Sequence, residues 1–414
     1  MPEDIFESRL KRILALMPGL SWIAFGRGFY LLAQVAFVAL LARILGAEAL
    51  GSYALVLAVV SPIRMFADMG LRSLLATENE LQTKMPGYLA LRYASLVFFV
   101  VAALLFSVLY FGESGVFLSI ALPLIGVKLA ESLSDFAYGA QQYYDRLNRQ
   151  GMSLFMNGVL GYGGCALTLY LTGSLTLGLY VLLLFATLIA LFYDWPDCRI
   201  RFLQVEWKGV GRKLWWVMPW GVAALLTSLC SSLPRFLIDM YVDRKTVGIF
   251  MALVLIVQVL EQINMTIIQA LTGRFGAWYH IDRESFIRRL TLTLFAVMVL
   301  VFVLAVLGLL LGDFVVGLVY GPEFVGFSVV LAILLAGKML DMGKGFAQIG
   351  QFVERKSTAQ MIISVVTLLT GVVTGFLWVP EYGIHGAAGM SVAMSVVFFA
   401  LTVMAVWRQF SDQT

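Results

Sequence analysis

The chain has 414 residues, of which 61% are hydrophobic and only 13% charged, and it carries a formal net charge of +4. With a mean hydropathy of +0.90, this composition excludes a soluble fold and the soluble enzyme classes, and it suits an all-α integral membrane protein with many spans. In a soluble chain the basic excess would hint at nucleic acid, but here Lys and Arg sort by loop and the positive-inside rule accounts for them, so no nucleic-acid partner is expected.

At the N-terminus Arg9, Lys11 and Arg12 precede an apolar run from Ile13 to Leu41. That run far exceeds the roughly 7 to 15 residues of a signal-peptide core. The segment therefore reads as an uncleaved first helix, with Met1 to Lys11 as a short cytoplasmic lead. Two apolar runs then meet at Arg43-Ile44-Leu45-Gly46, and the second closes on Asp68-Met69-Gly70, where the chain is expected to return to water. Leu41, Ala42, Arg43, Leu45 and Gly46, then Leu50, Gly51 and Tyr53, then Ala67, Asp68 and Gly70 carry a pattern. It resembles the opening hairpin of the polysaccharide transporter family, the Wzx-type flippases of lipid-linked oligosaccharides. That family lies within the multidrug/oligosaccharidyl-lipid/polysaccharide exporter superfamily, so the resemblance implies two six-helix lobes around a V-shaped central cavity and alternating access.

Because a bilayer core of about 30 Å needs roughly 20 apolar residues per helix, twelve spans fit the chain. They lie near 20–42, 50–70, 88–111, 116–138, 151–172, 175–193, 214–239, 247–271, 289–311, 325–348, 358–379 and 384–407. With the N-terminus inside, one side collects Arg9, Lys11, Arg12, Arg72, Lys84, Arg92, Arg146, Arg149, Arg199, Arg201, Lys208, Arg212, Lys213, Arg274, Arg283, Arg288, Arg289, Arg355, Lys356 and Arg408. The other side holds only Arg43, Arg244 and Lys245. This asymmetry places both termini in the cytoplasm, and the resemblance implies the inner membrane of a bacterial cell. Trp22, Trp195, Trp215, Trp216, Trp378 and Trp407 fall near span ends, as interfacial anchors do.

The longest polar interval, 194–213, divides an N-terminal six-helix lobe at 1–193 from a C-terminal one at 214–414. The halves match when slid over each other. Leu50-Gly51-Ser52-Tyr53 lies over Val247-Gly248-Ile249-Phe250 at an offset of 197, and Lys128 to Glu131 lies over Lys338 to Asp341 at an offset of 210. The slip between offsets is assigned to a loop from Gly312-Asp313 to Gly321-Pro322-Glu323. A parallel repeat implies a pseudo-two-fold axis along the membrane normal.

Inside the spans an Arg or Lys costs about 2.5 to 3.5 kcal/mol, so each needs a wet cavity, a partner or the headgroups. Arg27 and Arg64 are close enough to span ends to snorkel. Arg64 also has Asp68 at i+4, and Asp68 has Arg72 at i+4, a ladder that would staple the helix end. Span four carries Lys128, Glu131 and Asp135 on one face. Span ten repeats the pattern with Lys338, Asp341 and Lys344, span seven adds Arg235 with Asp239 after Pro234, and span eight adds Gln258, Glu261, Gln262 and Asn264. Structural ion pairing explains any one pair. The set reads as a cavity lining with a basic excess: Lys128, Arg235, Lys338 and Lys344 for an anionic cargo, and Glu131, Asp135, Glu261 and Asp341 for ion coupling.

Other chemistry is not indicated. Cys165, Cys198 and Cys230 are scattered, His280 and His385 stand apart, and no Gly-rich phosphate loop occurs, so no disulfide, metal, cofactor or ATP hydrolysis is expected. Gly371 and Gly375, with Gly383, Gly386 and Gly389, fit close helix packing. The resulting expectation is a non-enzymatic flippase for a polyprenyl-diphosphate-linked repeat unit of O-antigen, capsule or exopolysaccharide. Its partners would be that lipid-linked oligosaccharide, membrane lipids, and the polymerase and chain-length machinery. A cation-coupled multidrug exporter would prefer an acidic cavity. A membrane-embedded polymerase or glycosyltransferase would need a longer extramembrane loop with catalytic acids or His.

Overall fold

The computed structural model describes residues 3–78, 80–112, 115–197, 205–259, 283–338, 340 and 357–411, which are helical apart from short turns. A helix satisfies every backbone group within itself, the condition that a hydrocarbon solvent imposes. The first helix, α1 (Glu3–Asp68), is broken once, at Gly46, whose φ of 78° is a conformation open to glycine and strained for other residues. This hinge makes two passages of one helical stretch. Then come α2 (Leu71–Thr77), α3 (Leu81–Phe111) and α4 (Leu122–Tyr143). They are followed by α5 (Leu147–Met156), α6 (Gly163–Thr172), α7 (Leu175–Ile189) and the single turn α8 (Trp195–Asp197). After α9 (Val210–Tyr241), α10 covers 244–259 as far as described, followed by α11 (Arg283–Tyr320), α12 (Ser328–Lys338) and α13 (Ser357–Ser411). A second glycine hinge, Gly383 with φ 53°, divides α13.

Among the described residues eight stretches are long and apolar enough to cross a membrane. Two of them, Ser21–Thr77 with 57 residues and Met361–Met404 with 44, contain the hinges and are long enough for two passages each. The protein is therefore an all-α, multi-pass membrane protein. Three boundaries differ from expectation. α3 begins at Leu81, a full turn and more before residue 88. The loop expected from Gly312 is helix up to Tyr320, and Asp313 faces the start of α12, its Oδ1 accepting from Gly326 N at 2.9 Å and Ser328 N at 3.2 Å. Asp68 does not return the chain to water: Met69 and Gly70 turn through positive φ and bury α2 by Leu71 and Leu75.

The described chain forms two compact units, residues 1–41 with 59–221, and residues 42–58 with 222–414. The first has a core in which Leu75, Leu89, Phe136, Ala140 and Trp195 are buried together. Trp195 is fully buried and stacks on Phe136 at 6.0 Å, so it is a core residue and not an anchor. Trp22, Trp215, Trp216 and Trp378 are exposed, as anchors require. α1 and α5 cross at Gly26 and Gly151, where a Cβ on either would stand 2.0 to 2.3 Å from a backbone oxygen of the other helix. In the second unit Gly371 and Gly375 pack on Met394 and Leu237 as helix-contact glycines. Neither Cys165, in the first unit, nor Cys230, in the second, is in a disulfide.

Candidate functional site

In the first unit the charges of α1, α3 and α4 converge. Glu131 accepts from Arg64 Nη1 at 2.7 Å, Lys128 Nζ at 2.9 Å and Tyr30 OH at 3.2 Å. Asp68 meets Arg92 Nη1 at 3.0 Å, Arg64 Nε at 3.3 Å and Ser132 Oγ at 2.8 Å, while Arg92 also donates to the Ser132 carbonyl. The ladder expected from Asp68 to Arg72 is replaced: Arg72 pairs instead with Asp135 at 3.3 Å. Arg64 bridges both carboxylates and so does not snorkel.

Arg92, counted among the cytoplasmic loop charges, is 1% exposed. It falls inside the span expected near 88–111, and its charge alone assigns it to the loop; α3 in fact begins at Leu81, which sets Arg92 three turns into the helix. Lys128, Glu131 and Asp135 do share a face, with Lys128 and Glu131 paired to each other. A second polar knot, unanticipated, sits where the interval at 194–213 begins. Asp194 is fully buried and accepts from Ser153 Oγ at 3.0 Å, and Ser153 in turn meets Tyr138 OH at 2.8 Å.

The second unit gathers the Gly46 hinge. Gly51 and Gly248, matched in the internal repeat, touch reciprocally. A Cβ on Gly51 would lie 1.9 Å from the Arg244 oxygen, and one on Gly248 would lie 1.9 Å from the Ala47 oxygen. Three polar contacts tie this crossing. Arg43 donates to the carbonyls of Leu318 and Val319, closing the last turn of α11. Glu323 accepts from Ala47 N at 3.2 Å and from Lys245 Nζ at 2.8 Å. The Lys245 ammonium, more than the Ala47 amide, holds the Glu323 carboxyl below its ordinary 4.5.

A depressed acid stabilises the fold above its unfolded pKa and ceases to as pH falls through its folded value. Wild type should therefore lose more thermal stability in detergent between pH 5 and pH 3 than Glu323→Gln does. The difference should be small, since the pair is solvent-screened. Equal losses in the two proteins would remove Glu323 from the knot.

Also in the second unit, α9, α10, α12 and α13 enclose a pocket of about 210 Å³. It is lined by Arg235, Lys338 and Gln258, by the hydroxyls of Thr227, Ser231, Thr367, Ser391 and Ser395, and by Phe250 and Phe398. Arg235 and Lys338, expected to line a cavity between the lobes, both line this pocket within the second unit. The i+4 pairing expected between Arg235 and Asp239 is not formed: Asp239 bridges to Arg244 at 3.5 Å, and Arg235 Nε has no hydrogen-bond partner among the described residues. Lys344, Glu261 and Asp341 lie outside the described residues, as do Gln262 and Asn264. No group of three or more His, Cys, Asp or Glu side chains is placed to hold a metal among the described residues.

Comparison with known proteins places this architecture. The chain is 22% identical over 353 residues to the capsular polysaccharide biosynthesis protein CapF of Staphylococcus aureus, covering 82% of this chain and 86% of that one. Its fold is similar to that of a multidrug resistance MATE family transporter of the MOP superfamily, with a TM-score of 0.71 at 15% identity over 93% of this chain and 95% of the other. The lipid II flippase MurJ matches equally well, with a TM-score of 0.71 at 11% identity over 93% and 87%. The Vibrio cholerae MATE transporter VcmN follows at 0.64 and 14% over 96% and 98%. At these identities the structures share the fold alone. The profile of the family described as "Polysaccharide biosynthesis protein" matches residues 40–329, well over half of the chain. The chain therefore belongs to that family.

Proposed function

We propose that the protein is a flippase that carries a polyprenyl-diphosphate-linked oligosaccharide repeat unit across the bacterial inner membrane by alternating access. The observation that supports this most is the family match over 40–329, which joins a transporter fold to polysaccharide assembly. The placement of basic side chains inside the membrane-spanning bundle agrees with it, since a buried cation is costly unless it meets an anion. In this reading Arg235, Lys338 and Lys344 receive the anionic headgroup, Lys128 answers them in the first half, and the lipid tail stays in the bilayer. Glu131, Asp135, Glu261 and Asp341 are the carboxylates that would exchange protons or cations as the protein cycles. The multidrug reading is less well supported, because the pocket of the second unit presents Arg235 and Lys338 and, among the described residues, is lined by no Asp or Glu.

Depletion of the protein in its native cell tests this directly. The lipid-linked repeat unit should accumulate on the cytoplasmic side of inner-membrane vesicles while surface polysaccharide falls. Unchanged precursor with unchanged polysaccharide would refute the proposal. The accompanying topology, with both termini cytoplasmic, requires that reporters fused after Gly112 and Gly173 read outside and one after Arg149 inside. Reversal at two neighbouring loops would overturn it.

A further inference from the structure

We propose that the pocket within the second unit is a binding site for a carboxylate-bearing sugar ring, so that the cargo contains an acidic sugar recognised through Arg235. This rests on the reading of the cargo as an oligosaccharide. Arg235 is the starting point: it lines the pocket, it has no ion-pair partner among the described residues, and its Nε makes no hydrogen bond. A guanidinium in that position is completed by a planar oxyanion, which it can grip with two parallel hydrogen bonds.

The rest of the lining separates a sugar acid from a bare oxyanion. Thr227 donates its hydroxyl proton to the Ala223 carbonyl at 2.9 Å, Thr367 to Ile363 at 2.8 Å and Ser391 to Ala387 at 2.9 Å. Hydroxyls occupied in this way turn lone pairs toward the pocket and act there as acceptors. A halide offers such acceptors nothing to bind, and inorganic phosphate near neutral pH offers only one or two O–H donors. A polyhydroxylated ring brings its own O–H donors, one for each acceptor, alongside its carboxylate. Phe250 and Phe398 add flat apolar walls of the kind that the C–H face of a pyranose covers, and about 210 Å³ exceeds what a single phosphate fills.

Cys230 lines the same pocket and is in no disulfide, so its thiol can report occupancy. The full chain carrying Cys165→Ala and Cys198→Ala, purified in detergent, leaves Cys230 as its sole thiol, and the measurement is its alkylation rate with N-ethylmaleimide. Glucuronate is expected to slow alkylation by roughly tenfold at about ten times its dissociation constant, following simple occupancy. Glucose and inorganic phosphate at equal concentration should not. Arg235→Gln should abolish the protection, and Arg235→Lys should weaken it while confirming a folded protein.

In parallel, glucuronate should raise the melting temperature of wild type and leave that of Arg235→Gln unmoved, a readout that does not depend on the thiol. Equal protection by glucose would reduce the pocket to a neutral sugar site, equal protection by phosphate to a bare oxyanion site, and neither effect with glucuronate would leave it unoccupied by sugar acids. Each of these overturns the proposal. Because no transport is measured, failure here with normal precursor flipping refutes the acidic-sugar site alone, whereas unchanged precursor on depletion refutes the flippase reading whatever binds here.

Discussion

Replacing Gly248 by leucine should abolish polysaccharide export, and Gly248→Ala should already reduce it severely. A Cβ at Gly248 would stand 1.9 Å from the Ala47 oxygen and 2.9 Å from Gly51 N, and the reciprocal Cβ at Gly51 would stand 1.9 Å from the Arg244 oxygen and 3.2 Å from Gly248 N. These neighbours are backbone atoms, which cannot rotate aside as a side chain can. The helices must separate, and overpacking of this kind costs about 1 to 3 kcal/mol and sometimes more. Separation also pulls Arg43 from the end of α11 and Glu323 from Ala47 N, so a single methyl group acts on three polar contacts. The variant is expected to keep its helices and reach the membrane while losing the contacts that hold the Gly46 hinge, and with them export. The measurement is surface polysaccharide against membrane abundance, with Gly28→Ala as control, because a Cβ there meets nothing within 4 Å. Full export by Gly248→Ala would show that export does not depend on the crossing.

The match of Leu50 to Tyr53 with Val247 to Phe250 was legible in the sequence, and it picks out Gly51 and Gly248, where two backbones meet. That the chain is built of membrane-spanning helices was legible for a simple reason, that hydrocarbon demands long apolar runs. What the runs did not reveal was where helices continue beyond them. Asp313 lies beyond the apolar run at 289–311 and charge alone assigns Arg92 to a loop, yet one accepts amides from the start of α12 and the other is buried against Asp68. Charges paired within a bundle look the same in sequence as charges in water. The polar face Lys128, Glu131 and Asp135 could be read from helical spacing. Its partners Tyr30, Arg64 and Arg72 come from residues more than 60 positions away, which spacing along one helix cannot supply.

The other large effect is expected at Arg92, where methionine should remove most of the protein from the membrane. Arg92 is 1% exposed, pairs with Asp68 at 3.0 Å, donates to the Ser132 carbonyl and lies over the Phe136 ring at 6.0 Å. Removing one member of a buried ion pair strands the other and costs about 3 to 5 kcal/mol, a large share of the 5 to 15 kcal/mol that holds a typical domain together. Methionine keeps most of the apolar stem, so loss of packing is limited and the effect reports the stranded Asp68 charge. Arg64 at 3.3 Å and Ser132 at 2.8 Å partly compensate Asp68, but Arg64 is already held by Glu131 at 2.7 Å. Asp68→Asn in the Arg92→Met background removes the stranded charge while keeping an acceptor for Ser132, and it should restore abundance toward wild type. The comparison is membrane abundance and melting temperature in detergent for both single variants and the double. If the double variant is no more stable than Arg92→Met alone, the pair is not the source of the loss, and the Ser132 carbonyl contact becomes the better account.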